Sequence, residues 1–233
     1  MLRATCLALV LLLLGACGAR VEDAEQILTA NLAIPKDVEF RRMKTYPGES
    51  VCGEYSAYTS YVTPKEDFKP FITVRGTLYR QPLPEQLTIF CSKDPAEALL
   101  QQFGIGPYTS DNTSLAKISA DYAALTSALE RYYKDNSYYP TKAQGLQALV
   151  ERIPDRHKPL LHFPDGGYID SIPKDPWDRD YRYDEVQWGR VKGNYELLTL
   201  GADDTPGGSG ENADVSSRIF PYLDHIAHVL GQR

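Results

Sequence analysis

Residues 115–136 read LAKISADYAALTSALERYYKDN, and the reading of the fold turns on the spacing of their apolar side chains. Leu115, Ile118, Tyr122, Leu125, Leu129 and Tyr132 recur at intervals of three and four, which lays one apolar stripe along a helix of about twenty residues. A stripe of that kind has to be covered, so the helix packs on another element. Ser114 is placed to cap its start, and Asp135 and Asn136 end it. Downstream, Tyr139-Pro140-Thr141 reads as a turn, and residues 144–153 as a second, short helix with Leu146, Leu149 and Val150 on one face. The period then changes: residues 154–167 are irregular, while 181–186 and 195–200 read as antiparallel strands connected by the charged, glycine-containing stretch 187–193.

The second strand opens into a glycine-rich acidic loop, and residues 195–215 together read YELLTLGADDTPGGSGENADV. Asp203, Asp204, Glu211 and Asp214 crowd four carboxylates into it, while Gly201, Gly207, Gly208 and Gly210 let the backbone curl until its carbonyls point inward. Hard oxygen ligands on a flexible turn favour calcium. A solvated hairpin loop of the same composition is the alternative, because glycine and acidic residues are ordinary turn formers.

The first residues carry one basic side chain, Arg3, and then the apolar run 7–14. This run is too short for a stable membrane span, which needs about twenty residues, and it reads as a cleaved secretory signal over residues 1–16. Leu14-Gly15-Ala16 before Cys17 resembles the bacterial lipobox, in which the thiol is acylated and becomes the first residue of the mature protein. Residues 17–20 would then be a lipidated tether, and Cys17 the membrane anchor. Gly18 after the cysteine, in place of aspartate, resembles outer-membrane sorting, so the expected location is the periplasmic face of the outer membrane. Loss of residues 1–16 removes Arg3 and takes the formal charge from −6 to −7. No basic stripe suits phosphate contacts, which argues against a nucleic-acid partner. With Cys6 in the signal and Cys17 acylated, Cys52 and Cys91 remain, and in an exported chain they are expected to pair. Redox catalysis is the poorer alternative, because the two lack C-x-x-C spacing.

Residues 21–103 read as a small α+β unit. A helix over 21–32 is followed by strand-like sequence around Val38, Phe40, Val51, Tyr55, Tyr58 and Tyr61, then by the β-runs 71–74 and 87–90, with a helix at 95–103 closing the unit. Its sequence around Val51-Cys52-Gly53-Glu54-Tyr55 and Phe68-Lys69-Pro70-Phe71 resembles a small disulfide-bearing domain of bacterial envelope proteins, which names no function. Residues 104–114, with Gly106-Pro107 and Ser110-Asp111-Asn112, read as a linker.

The order of motifs beyond that linker resembles the soluble domain of the major, G-type pseudopilin of type II secretion. The matching blocks are Ala128-Leu129 to Tyr133, Asp135-Asn136 with Tyr139-Pro140-Thr141, residues 144–150, Pro173-Lys174-Asp175-Pro176-Trp177, Tyr181-Arg182-Tyr183, and 200–214. The resemblance implies an α+β chain in which the disulfide-bearing unit precedes a pilin-like domain over 115–216, with a long helix packed on a short antiparallel sheet. Residues 217–233 then add an amphipathic helix that caps the fold or binds a partner. It also implies calcium in the loop, with the Leu200 carbonyl and the Asp203 and Asp214 side chains as ligands, Glu211 or Asn212 as further contributors and Thr199 nearby. Ala213 stands where some relatives carry another aspartate. Asp203 and Asp214 span an EF-hand's twelve residues, but the D-x-[DN]-x-[DN]-G pattern is missing. Family members carry a basic leader, an F-T-x-x-E processing site and a long apolar N-terminal helix. A lipidated envelope unit stands here instead, so entry into a pseudopilus by the usual helical core is not expected.

No catalytic residues are expected: G-x-S-x-G, H-E-x-x-H and G-x-x-x-x-G-K-[ST] are all missing. His225 and His228 lie three apart on the last helix without further ligands and read as a solvated face, while Pro173 to Trp177 reads as packing. The functional expectation is a non-enzymatic, calcium-stabilised outer-membrane lipoprotein acting through contacts with type II secretion components or other envelope proteins. The alternatives are a stand-alone envelope binding or structural lipoprotein, and an unrecognised periplasmic hydrolase.

Overall fold

The computed structural model describes residues 20–156, 158–186 and 194–231. The expected signal sequence over 1–16, Cys17 and the stretch 187–193 lie outside the described residues. The chain begins with helix α1 (Val21–Ala30) and a four-stranded sheet of β1 (Glu39–Tyr46), β2 (Ser50–Ser56), β3 (Lys69–Val74) and β4 (Thr77–Tyr79), in that spatial order and antiparallel throughout. Side-chain alternation divides its two faces. Val51, Tyr55 and Phe71 pack in one apolar cluster with Ala24 and Leu28 of α1. Cys52, Ile72 and Val74 belong to the other cluster, which runs on into the rest of the molecule. Because both faces are covered, β2 is buried along almost its whole length.

The run 87–90, expected as a strand, is instead the end of helix α2 (Pro84–Phe90). A run of four residues, three of them apolar, fits either period, and the residues upstream decide it. Pro84 sits in the first turn, where its missing N–H costs nothing, and the Gln86 side chain accepts a hydrogen bond from Leu83 N at 2.8 Å. Ile89 and Phe90 are thereby buried. Directly after α2, Cys91 is joined to Cys52 in a disulfide with Cα atoms 6.0 Å apart, fastening the helix to β2. Helix α3 (Pro95–Phe103) follows, capped by Asp94, whose carboxylate accepts from Glu97 N at 3.0 Å.

The segment expected as a linker is packed. Ile105 and Tyr108 are 1% and 2% exposed, and Ile105 pairs with Gly210 in a parallel bridge. Helix α4 (Thr113–Asn136) then carries the apolar stripe as expected: Leu115, Ile118, Tyr122, Leu125, Leu129 and Tyr132 are all buried. Asn112, not Ser114, caps it, accepting from Leu115 N at 3.0 Å. Tyr122 pins the helix to the second sheet by donating from its hydroxyl to Val215 O at 2.5 Å.

In place of the short helix expected over 144–153 there is a single 3-10 turn, Leu146–Leu149. The flanking side chain of Gln144 is drawn into bridging Thr141 N (2.9 Å) and Ile153 O (2.7 Å), which ties the segment into a compact loop. The second sheet is β5 (Arg182–Val186), β6 (Asn194–Thr199) and β7 (Val215–Ser216), antiparallel in that order. Helix α5 (Phe220–Val229) ends the fold. Its Tyr222, Leu223, Ile226 and Ala227 join residues of α2, α3 and α4 in one apolar cluster, so the core is continuous across the stretch 104–114.

Candidate functional site

Strand β6 ends at Thr199, and Leu200 is buried beneath the loop that follows. At Gly201 φ is +66°, and a Cβ there would stand 2.5 Å from the Asn212 carbonyl carbon. Gly208, at φ +90°, would bring a Cβ to 2.4 Å from Asn212 O. The two glycines therefore clasp the Asn212 backbone from both sides, an approach that only hydrogen side chains allow. Ala202 N donates to Glu211 O at 2.7 Å, closing the loop base, and Gly210 N donates to Gly104 O at 2.8 Å, stitching the loop to the end of α3.

Within this frame Asp214 is partly buried. Its Oδ2 accepts from Gly207 N at 2.9 Å, whereas its Oδ1 is buried and has no hydrogen-bond partner. Asp203 is exposed and caps its own turn, its Oδ1 accepting from Thr205 N at 3.1 Å. Asp204 pairs with Arg182 at 3.3 Å. Glu211 and Asn212 are exposed. Among the described residues no three His, Cys, Asp or Glu side chains converge closely enough to hold a metal ion. A cation here would be held by Asp214, with backbone carbonyls and water completing its shell, a donor set of the hard-oxygen kind that calcium accepts. The unpaired, buried Oδ1 of Asp214 is the observation that fits such an ion, since a buried carboxylate oxygen without a partner is costly.

The neighbouring charges are arranged around a residue that the sequence reading assigned to simple packing. Asp175 is 4% exposed. It accepts from Trp177 N at 3.0 Å, Arg179 N at 2.9 Å and the Thr199 hydroxyl at 2.7 Å. Arg179 lies 3.6 Å from the same carboxylate and donates to the carbonyls of Gly201 and Ala202. Asp175 thus orients the guanidinium that holds the first turn of the loop. Thr199, expected near the ion, spends its hydroxyl on Asp175. The sequence signal for this role was an acid between two prolines, Pro173 and Pro176, where the fixed backbone leaves its amides free for a side-chain acceptor. Trp177 is half-buried against the core, with Arg179 5.5 Å over its ring.

Residues 108–218 match the family model for type II secretion system protein G. The type II secretion system core protein G of Vibrio cholerae is 46% identical over 101 residues, 43% of this chain and 66% of that protein. That of Pseudomonas aeruginosa is 36% identical over 107 residues, 46% of this chain and 72% of the relative. A crystal structure of the major pseudopilin from the type 2 secretion system of enterohaemorrhagic Escherichia coli aligns at 32% identity over 46% of this chain and 87% of that one, with a TM-score of 0.38. The match spans 61–66% of the length of three of the curated relatives to which the chain is similar, the Vibrio cholerae protein among them. Residues 21–103 lie outside the family-model match. Through its C-terminal half, the chain belongs to the type II secretion system protein G family.

Proposed function

We propose that the protein is a non-enzymatic component acting through protein contacts in or beside type II secretion, tethered by lipid on Cys17 at the periplasmic face of the outer membrane and stabilised by calcium in the loop 200–214. Family membership over the C-terminal half is the observation that carries the secretion role. The calcium reading rests on the orphaned Oδ1 of Asp214 together with the glycine-clasped backbone of the loop that carries it. The lipid tether rests on the sequence before Cys17.

The two parts are tested separately. Crosslinking in cells followed by capture of the tagged full chain is expected to recover secretion-system proteins; their absence would leave the stand-alone envelope lipoprotein as the better reading. Thermal melts in calcium, magnesium and chelator are expected to show a calcium-specific rise in the midpoint, since an ion that binds only the native state stabilises it by mass action, by about 2.7 kcal/mol at a hundred times Kd. Asp214→Ala is expected to abolish that rise. An unchanged response in this variant would remove the site from the loop.

A further inference from the structure

His225 sits on α5 with 0% exposure. Both its ring nitrogens are buried without a hydrogen-bond partner. A neutral imidazole has one N–H to donate and one lone pair to fill, and neither is satisfied here. Its surroundings explain why. The Phe90 ring of α2 meets it edge-on with centroids 5.1 Å apart. The β1–β2 turn closes the other side so tightly that a Cβ on Gly48 would stand 2.4 Å from its Cε1 and 2.8 Å from its Nδ1. The charged groups around it are already matched to one another. Arg75, on the β3–β4 turn, pairs with Asp224 of α5, and His228 of α5 lies 3.6 Å from Glu49 of the β1–β2 turn. Among the described residues, the carboxylates of Asp224 and Glu49 are each paired with a side chain other than His225. Burial first, then the positive charges of Arg75 and His228, hold the imidazole down to about 4.

The helix that carries this group is one of the elements joining the two halves. Phe90 packs against Tyr222 at 5.2 Å and Phe103 stacks on Tyr222 at 6.0 Å, so α5 is wedged against α2 and α3 on one side. Its Leu223 and Ile226 share the apolar cluster with α4.

We propose that His225 makes α5 a pH-released clasp, which holds the disulfide-bearing unit against the pilin-like unit while the imidazole is neutral and lets go of it when the ring takes a proton. The direction follows from linkage. A histidine whose docked value lies below its free value of 6.5 takes up its proton more readily in the released state, so docking is complete above about pH 6.5 and weakens as the pH falls toward 4. At pH 4.5 the docking equilibrium is weaker than at neutrality by on the order of fifty-fold.

Hydrogen exchange on the whole chain, corrected for intrinsic rates, tests the idea between pH 7.5 and 4.5. Protection in α5 and α2 is expected to fall by that factor while β5 and β6 keep theirs, and His225→Leu and His225→Gln are expected to remove the difference. Equal acid loss of protection in wild type and both variants would overturn the clasp, as would unchanged protection in the wild type. Should both variants fail to fold, NMR titration of the wild-type imidazole decides, because a His225 ring titrating near its free value refutes the proposal. Arg75→Gln supplies a further check: removal of the adjacent positive charge is expected to move the NMR titration midpoint of the docked His225 ring to higher pH, toward its free value, and a ring midpoint moved down would count against it.

Discussion

Asp175 shows how one side chain organises a site it does not itself form. Its carboxylate accepts from two backbone N–H groups and a threonine hydroxyl, and it stands beside the guanidinium that holds the first carbonyls of the acidic loop. Each such bond to a charged acceptor contributes roughly 1.5–3 kcal/mol, and its donors would be buried without partners if it were removed. Asp175→Ala is therefore expected to cost about 3 kcal/mol or more in urea denaturation. Thr199→Val, which removes only one donor, is expected to cost about 1.5 kcal/mol. If the two losses were equal, Asp175 would be an ordinary packing residue, as its sequence context suggested.

Among the elements, α4 follows most directly from local sequence and α2 least. The α4 stripe is long enough to specify its own period, and every residue read as its buried face is buried. Its cap lies two positions earlier than expected: Asn112 and Ser114 are both good caps, and Asn112 wins because its amide also donates to Pro107 O at 2.9 Å, locking the incoming chain. Asn112→Ala is expected to destabilise the protein by about 1 kcal/mol, and Ser114→Ala by a few tenths at most. Chemical denaturation of both variants checks the assignment, and a larger loss at Ser114 would reverse it. The 87–90 run went to helix because a stretch of four residues, three of them apolar, cannot declare a period, and what decided it was the proline and glutamine before them.

At the scale of the molecule, two sheets share a core through α2, α3, α4 and α5. The disulfide fixes α2 to β2 across a sequence separation of 39 residues. Closing a loop of that length contributes about 4 kcal/mol in the chain-entropy model. Cys52→Ala with Cys91→Ala is expected to lower stability by that order, with the loss of exchange protection greatest in α2 and reaching α5, which rests on it through Phe90. A loss confined to the first sheet would show that the two halves are mechanically independent. The packing of Ile105 and the bridge from Ile105 to Gly210 argue that they are not, since the acidic loop itself is hydrogen-bonded to the end of α3.

Sequence by itself determined the long helix, the principal strands of both sheets, the pairing of Cys52 with Cys91, and the family of the C-terminal half. These are written in side-chain period, in cysteine count and in the order of short motifs, all of which are local or nearly so. Only the tertiary structure decided what covers each apolar face. It buried Ile105 and Tyr108 in a stretch that read as a linker, and it turned His225 from a solvated helix face into the core. It also left Asp214, of all the acids in the loop, with a buried oxygen unpaired. The physical reason is the same in each case. A residue's periodicity says that one side of an element must leave water, whereas the surface that meets it comes from segments far away in the chain, and burial belongs to both.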